Sequence, residues 1–238
     1  MFSSKEKPPD RFIPSILAGV LGLYFFVREP ARAWEREKGQ WSNLLAWYRL
    51  RKLGIVRHFE RYPANAIPRQ YDDLLAIYRT IERRKPKSVL ELGGGYSTYV
   101  IAQAAKDLSA SGHACEFHSV DESEHWQSIQ KQHLPAELAR FVTFHHSEPH
   151  LIDCCGIQVS AFRELPSTRP ELIYVDGGLV PGNHIGGDVV LLEPELGGNC
   201  AIIVDGRRQT VEFLRTHLSR RYHVKTLASS SQTIFEPA

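Results

Sequence analysis

The chain of 238 residues is long enough for one full-sized domain with residues to spare, and its hydrophobic (42%) and charged (24%) fractions exclude wholesale disorder. A net charge of +2 does not single out a class of partner, and we expect no nucleic acid. The four cysteines form no CxxC pair, which argues against a zinc site and favours reduced thiols of a cytosolic protein.

Charge is distributed unevenly along the chain. Residues 1–62 contain twelve Lys and Arg against six Asp and Glu, whereas the remainder contains seventeen against twenty-one. This difference predicts two regions with different roles, a basic N-terminal helical segment at 1–62 and a globular domain at 63–238.

The N-terminal segment contains an uncharged run at 12–27, FIPSILAGVLGLYFFV. As a helix this run would span roughly 24 Å, which is short of the roughly 30 Å hydrocarbon core of a bilayer. Three interpretations stay open: a cleaved signal peptide, a helix buried against the domain, and a membrane anchor that crosses a thin bilayer as a transmembrane helix or enters one leaflet.

Aromatic and basic side chains after this run favour the anchor. Trp34, Trp41, Trp47 and Tyr48 follow it, and such side chains are typical of a membrane–water interface. The basic residues interleaved with them are Arg49, Arg51, Lys52 and Arg57. Residues 12–57 are therefore predicted to contact anionic lipid on the cytoplasmic side of the membrane, as a single anchor or peripherally.

From residue 63 onward, helical and strand patterns alternate. The predicted helices cover 70–84, 97–109, 123–133, 183–193 and 209–219, and the predicted strands cover 88–92, 115–120, 141–145, 171–175 and 200–204. Two further segments, 222–228 and 232–238, are typical of an antiparallel hairpin. The alternation predicts an α/β fold with a doubly wound, mostly parallel sheet that binds ligands at the carboxyl ends of its strands.

Three glycines follow the strand at 88–92, within the sequence VLELGGGYST of residues 89–98. Glycines after a strand let backbone N–H groups approach a ligand closely, because no Cβ stands in the way. A dinucleotide fingerprint would place a third glycine at position 98, where this chain has Thr98, and the Gly-Lys-Ser/Thr of a Walker loop is missing.

The stretch Glu91-Leu-Gly93-Gly94-Gly95-Tyr-Ser97 instead resembles the first motif of the class I S-adenosylmethionine-dependent methyltransferases. The resemblance implies that the glycine turn accommodates the methionine part of S-adenosylmethionine and that Glu91 organises the turn and the nearby amino group. A carboxylate suits this cofactor because the cofactor carries an ammonium and a sulfonium group.

Further motifs resemble that family in the same order. Asp121, in SVDES, would accept hydrogen bonds from both ribose hydroxyls, with Glu122 beside the adenosine; a helix N-cap is a compatible second role for Asp121. Asp176, in YVDGG, resembles part of the small-molecule O-methyltransferase branch, and Asp205 ends the sequence AIIVD. The resemblance covers about 70–238 and implies a Rossmann-like, seven-stranded methyltransferase fold with an antiparallel last strand.

Metal-dependent members of this branch hold a divalent ion with acids after two neighbouring strands. Asp176 and Asp205 match two of those ligands, but Gly206 stands where the third is expected. Two carboxylates can still hold a mostly hydrated Mg²⁺ ion, so the resemblance leaves Mg²⁺ open as a second cofactor.

Proton removal from an acceptor hydroxyl needs a base. His184, in PGNHIGGD, is the predicted base because imidazole titrates near neutral pH, although a surface-loop histidine is the alternative. Asp176 is predicted both to bind the cofactor and to take part in catalysis. Arg207 and Arg208 either bind an anionic substrate or are solvated.

Together these features predict a methyltransferase that methylates a hydroxyl of a small or lipid-like acceptor at the cytoplasmic membrane face. The alternative is a catalytically degenerate methyltransferase fold that acts as a structural or interaction subunit, with a protein partner in a membrane complex. Acceptor pockets in this fold are built from variable loops, so the sequence does not identify the acceptor.

Overall fold

The computed structural model describes residues 41–59, 70–227 and 231–238. The predicted anchor run at 12–27 and Trp34 lie outside the described residues. Among the helices that are described, none combines the length and the apolar character that a membrane crossing requires. The chain divides into two compact units, Met1–Ser42 and Asn43–Ala238, and the predicted boundary at residue 62 falls inside the second unit.

Helices and strands alternate through the second unit, largely as the sequence predicts. The helices are α1 (41–52 in the described chain), α2 (Val56–Phe59), α3 (Tyr71–Arg84), α4 (Tyr96–Ala110), α5 (Glu124–His133), α6 (Ala136–Ala139), α7 (Asp188–Leu192, followed by a 3₁₀ turn at Glu193–Glu195) and α8 (Arg208–His217). The strands are β1 (Ser88–Leu92), β2 (Glu116–Asp121), β3 (Thr143–His146), β4 (Pro149–Cys154), β5 (Ile157–Phe162), β6 (Leu172–Val175), β7 (Ala201–Asp205), β8 (Tyr222–Thr226) and β9 (Gln232–Pro237).

Seven strands form one sheet in the order β3-β2-β1-β6-β7-β9-β8. The first five strands are parallel, whereas β9 runs antiparallel to both β7 and β8. The carboxyl ends of β1, β2, β6 and β7 therefore lie side by side at one edge of the sheet, where ligands of doubly wound folds bind. The predicted fold class and the reversed last strand are confirmed.

Alternating side chains of the central strands enter two separate hydrophobic clusters, one on each face of the sheet. Leu172 and Tyr174 of β6 pack with α3 and α4, whereas Ile173 and Val175 pack with α7 and α8 on the opposite face. All four side chains are almost completely buried, and burial of an aliphatic side chain of this size contributes about 2 kcal/mol. The site at the strand ends thus rests on a sheet covered on both faces.

Helix α1 packs on this domain through one face. Ala46 and Leu50 are buried, and Trp47 packs against the core rather than standing free, which differs from the predicted interfacial role of Trp47. The side chain of Asn43 accepts hydrogen bonds from the backbone N–H groups of Tyr71 (2.6 Å) and Asp72 (3.4 Å). These bonds satisfy free donors at the start of α3, so α1 also fixes where α3 begins.

Two features differ from the prediction, and both involve β5. The predicted helix at 183–193 begins only at Asp188, because the preceding loop runs beside β5: Ser160 donates its N–H to Ile185 O, and Gly187 donates to Ser160 O, both at 2.8 Å. The strand β5 itself belongs to a β4–β5 hairpin that the sequence analysis missed.

The turn of that hairpin explains the omission. Its two residues, Cys155 and Gly156, both have positive φ (58° and 75°), as a two-residue hairpin turn requires. Sequences that adopt this turn usually place Asn, Asp or Gly at the first position. A cysteine there gives no recognisable turn signal.

Candidate active site

A cavity of about 620 Å³ opens at the carboxyl ends of β1, β2, β6 and β7. This volume is in the range of small-molecule sites. The wall at the β1–β2 end includes Gly93, Gly94, Gly95, Ser97, Asp121 and Glu122, and the wall at the β6–β7 end includes Asp73, Asp176, Asp205, Arg207 and Ser231. The cavity therefore collects most of the predicted site residues from four neighbouring strands.

Glu91 lies behind the glycine turn rather than in the cavity wall, and its side chain is completely buried. Its Oε2 accepts hydrogen bonds from the hydroxyls of Ser119 (2.6 Å) and Thr98 (2.7 Å). Burial raises the pKa of Glu91 to about 7, and the hydroxyls of Ser119, Ser97 and Thr98 partly oppose this rise. The second carboxylate oxygen, Oε1, is buried and has no hydrogen-bond partner among the described residues.

Thr98 connects Glu91 to the turn. Its Oγ1 donates to Glu91 and accepts the backbone N–H of Gly95 at 3.0 Å. Thr98 stands at the position where a dinucleotide fingerprint would have its third glycine. Thr98, the residue that departs from that fingerprint, is therefore the one through which Glu91 positions the glycine turn.

The glycine turn is pressed against the loop that follows β6. Gly93 has a φ of +93°, and a Cβ added to it would lie 2.3 Å from the Cα and N atoms of Gly177. Gly95 is different, because it lines the cavity and an added Cβ would meet no atom within 4 Å. One side of the turn is thus closed by backbone, whereas the other side leaves room for a ligand.

Asp121 closes the β1–β2 end and is only 4% exposed. Its two oxygens accept backbone N–H groups, Oδ2 from Gly94 and Oδ1 from Ser123, each at 2.8 Å. Each carboxylate oxygen keeps a second lone pair that can accept another hydrogen bond. Burial raises the pKa of Asp121, and the two backbone hydrogen bonds lower it.

Two neighbours of Asp121 complete this end of the cavity. The Trp126 indole donates from Nε1 to Gly94 O at 3.1 Å, and its side chain lines the cavity. Glu122 reaches across to the loop after β6, where its Oε2 accepts the N–H of Gly178 at 3.3 Å. Gly94, Asp121 and Trp126 are therefore joined by hydrogen bonds in one wall, and Glu122 ties this wall to the loop after β6.

At the β6–β7 end, Asp176 and Asp205 come from adjacent strands. Arg207 donates from Nη2 to Asp176 O and lies 3.4 Å from Asp176 Oδ1. Burial of the group and the nearby charge of Asp205 raise the pKa of Asp176, whereas Arg207 lowers it. The Asp176 side chain is still 46% exposed, so solvent limits the size of the rise.

Both oxygens of Asp205 are engaged. Oδ2 accepts the hydroxyl of Tyr174 at 2.6 Å, and Oδ1 accepts the hydroxyl of Ser231 at 2.8 Å. Ser231 also donates its backbone N–H to Asp73 Oδ1 at 3.2 Å. Residues of α3, β6 and β7 thus meet Ser231, the residue before β9, at this end.

The residues present do not fit the predicted Mg²⁺ site. Within the described ranges, no three His, Cys, Asp or Glu side chains are grouped so that they could hold a metal ion. Asp205 is occupied by two hydroxyls, Asp176 is paired with Arg207, and Gly206 supplies no side chain. The expectation of a metal at Asp176 and Asp205 therefore gains no support from the geometry.

His184 lies outside the cavity wall. It is exposed on the loop that precedes α7, and its backbone oxygen accepts the hydroxyl of Thr210 at 3.4 Å. The loop that carries His184 is bonded to β5 at Ile185 and Gly187. The structure does not bring the predicted base together with Asp176 and Asp121.

Residues that the structure adds to the site or its support, and that sequence reasoning missed, include Asp73, Thr98, Ser119, Trp126, Tyr174 and Ser231. Ser119 is paired in register with Glu91 across the parallel strands β1 and β2. The alignment of the two strands places Ser119 beside Glu91. An acid in one apolar strand and a serine at the corresponding position of the next were therefore the sequence signal for this contact.

No protein-family model matches the chain, and a search of curated proteins found no significant match. Solved structures do match. The SAH-bound methyltransferase PaMTH1 of Podospora anserina is 15% identical, with a TM-score of 0.50, over 77% of this chain and 87% of that one. An O-methyltransferase of Bacillus cereus in complex with SAH is 13% identical, with a TM-score of 0.45, over 78% and 88% of the two chains.

The similarity to PaMTH1, together with the strand order and the reversed β9, establishes the fold. This fold is the Rossmann-like fold of class I methyltransferases, as the sequence motifs predict.

Proposed function

We propose that the protein is an S-adenosylmethionine-dependent methyltransferase that methylates a hydroxyl of a small acceptor. One observation carries the proposal: the glycine turn and the acid of the second strand meet directly, with Gly94 N donating to Asp121 Oδ2 at 2.8 Å in the wall of one cavity. These are the two motifs that the sequence assigns to the methionine and ribose parts of one cofactor.

The residues of the β1–β2 end fit that cofactor. Gly95 leaves open space, Ser97 presents a hydroxyl near the buried Glu91 carboxylate, and Asp121 has lone pairs for ribose hydroxyls. Trp126 and Glu122 would border the adenosine. When bound, S-adenosylmethionine supplies an activated methyl group; the chain supplies position and a place for the displaced proton.

At the β6–β7 end, the proposed acceptor of the hydroxyl proton is Asp176. Its carboxylate lines the cavity, and its raised pKa makes it a stronger base than an ordinary aspartate. Arg207 holds the backbone and side chain of Asp176, so it acts as a positioning residue.

The experiment that tests this proposal is calorimetric titration of the full chain with S-adenosylhomocysteine. We expect wild-type protein to bind and Asp121→Asn to bind about a hundredfold more weakly, because two charge-assisted hydrogen bonds to ribose are lost. Asp153→Asn, in the β4–β5 hairpin outside the cavity wall, is the matched control and should bind like wild type.

A catalytically degenerate fold that serves as an interaction subunit is the second candidate. The position of His184, exposed and away from the cavity, favours it. Wild-type protein that fails to bind either S-adenosylmethionine or S-adenosylhomocysteine in the same titration would support this candidate and contradict the enzyme.

We further infer that α1 contacts an anionic membrane surface peripherally. Leu44, Leu45 and Tyr48 are 51%, 62% and 50% exposed, and Lys52 lies over the Tyr48 ring at 4.7 Å. Exposed apolar side chains beside basic ones suit an anionic lipid interface. This placement would bring a lipid-like acceptor within reach on the cytoplasmic side.

Flotation of the full chain with phosphatidylcholine vesicles, with and without phosphatidylserine, tests the contact. We expect flotation that depends on phosphatidylserine and is reduced by Leu45→Asp. Leu151→Asp changes another exposed leucine, on β4, and should not alter flotation. Equal loss in both variants, or no flotation of wild type, would contradict the inference.

A further inference from the structure

A second cavity, of about 360 Å³, lies beside the first between α8 and the β8–β9 strands. Gly206, Arg207 and Ser231 line both cavities. A ligand in the second cavity can therefore extend past Arg207 toward Asp176 and Asp205.

Three arginines and one acid line the second cavity. Arg215 pairs with that acid, Glu212, at 3.6 Å. The Arg208 guanidinium has no hydrogen bond or ion pair within the described ranges. The Arg207 Nε is buried and lacks a hydrogen-bond partner in the described chain, although Nη2 of the same side chain binds Asp176.

An unpartnered buried donor needs an explanation, because a guanidinium N–H removed from water without an acceptor is unfavourable. Arg207 Nε belongs to the residue that separates the two cavities. The Nε atom is closed off from solvent, so an acceptor atom on a ligand at this junction would satisfy it once the Arg207 side chain shifts.

Two threonines, Thr226 and Thr233, line the same cavity as the arginines. Thr226 Oγ1 and Thr233 Oγ1 lie 3.2 Å apart and share one hydrogen bond, so the pair keeps one hydroxyl hydrogen to donate. Guanidinium groups combined with hydroxyl donors are suited to the oxygens of a phosphate or a carboxylate.

We propose that the second cavity binds an oxyanion carried by the acceptor, so that the substrate class is a hydroxylated phosphate or carboxylate compound. The anion lies among Arg207, Arg208 and Arg215, and the hydroxyl to be methylated reaches Asp176 in the first cavity. This inference rests on the proposed methyltransferase function and adds the chemical class of the acceptor.

The test uses inorganic phosphate and acetate as probes of the full chain at constant ionic strength. Broadening of the phosphorus NMR line of phosphate reports phosphate binding, and competition by acetate shows whether a carboxylate takes the same site. We expect saturable phosphate binding that persists when the first cavity is saturated with S-adenosylhomocysteine.

Arg208→Ala and Arg215→Ala should each weaken phosphate binding about tenfold, because each removes a charge-assisted donor. Arg208→Lys should retain part of the affinity. Arg169→Ala, an exposed arginine outside both cavities, should bind phosphate like wild type.

The outcomes separate this inference from the proposed function. Absence of phosphate and acetate binding, unchanged binding in Arg208→Ala and Arg215→Ala, or displacement of phosphate by S-adenosylhomocysteine would overturn the second site. Each of these results is compatible with cofactor binding in the first cavity. Absence of S-adenosylhomocysteine binding, measured separately by calorimetry, would instead overturn the methyltransferase.

Discussion

The two ends of the cavity hold their carboxylates by different means. At the β1–β2 end, Glu91 and Asp121 are almost fully buried, and their partners are hydroxyls and backbone N–H groups of the same two strand–turn units. At the β6–β7 end, Asp176 is half exposed and pairs with the Arg207 guanidinium, whereas Asp205 accepts the hydroxyl of Ser231, which also binds Asp73 of α3. The first end is therefore enclosed and held by hydroxyls and backbone N–H groups, whereas the second is open to solvent and is linked to α3 through Ser231.

Under the proposed function, this difference fits a separate task for each end. A preorganised, enclosed turn suits a cofactor that is the same in every catalytic cycle, because little ordering remains to be done on binding. An open end with a cation and two carboxylates suits an acceptor that must enter, lose a proton and leave. The predictions below test whether the ends differ in this way.

The largest expected effect is on the backbone packing of the β1–β2 end. Gly93→Ala should lower the free energy of unfolding by about 3 kcal/mol or more, because the new Cβ meets Gly177 backbone at 2.3 Å and φ is +93°. Gly206→Ala, at the β6–β7 end, meets no atom closer than 3.8 Å and should cost about 1 kcal/mol for its positive φ alone. Urea unfolding measures both. Equal losses of unfolding free energy in the two variants would contradict the proposed difference between the two ends.

Next in size is the pH dependence that comes from Glu91. Its pKa of about 7 lies above the ordinary value of 4.5, so the folded state holds more protons and stability falls as pH rises between these values. In wild type, the free energy of unfolding should fall by about 3 kcal/mol between about pH 5 and about pH 7.5 because of Glu91, and Glu91→Gln should abolish this part of the fall. Urea unfolding at the two pH values measures it.

Asp176→Asn is the comparison at the open end, and it should alter the pH dependence less, because solvent and Arg207 already stabilise the charged form. If Glu91→Gln leaves the slope of unfolding free energy against pH unchanged, the buried carboxylate is not the source of the pH dependence. A larger change in Asp176→Asn than in Glu91→Gln would reverse the proposed difference between the ends.

The same contrast explains how much the sequence could predict. The strands, the order of the acids and the glycine turn follow from short-range patterns, and the structure places Gly93–Gly95, Asp121 and Asp176 in one cavity. Glu91 was expected near the cofactor, but its contact with the turn passes through Thr98, which a motif of glycines does not reveal.

The β6–β7 end was harder to predict for a physical reason. Asp73 and Ser231 are 158 positions apart in sequence and meet only after the sheet has formed. His184 was placed in the site because its loop follows a site strand, yet the pairing of that loop with β5 directs it elsewhere. Long-range packing of an unrecognised hairpin thus decided which loop residues reach the cavity.

The smallest expected effect concerns Tyr174, whose buried hydroxyl donates to Asp205 at 2.6 Å. Tyr174→Phe should lower the free energy of unfolding by about 1 kcal/mol through loss of one hydrogen bond. Its affinity for S-adenosylhomocysteine should stay the same, because Asp205 belongs to the other end of the cavity. A tenfold loss of that affinity would show that the two ends are not separate.

The most direct test of the central claim is the affinity of Gly95→Ala for S-adenosylhomocysteine, measured by calorimetry on the full chain. Position 95 has extended backbone and open space, so alanine should leave stability unchanged, yet its methyl group occupies volume assigned to the cofactor. We expect affinity to fall about tenfold or more. Gly198→Ala also meets no atom within 4 Å but lies outside the cavity wall, and it should bind like wild type. Equal affinity of Gly95→Ala and Gly198→Ala would contradict a cofactor at the glycine turn.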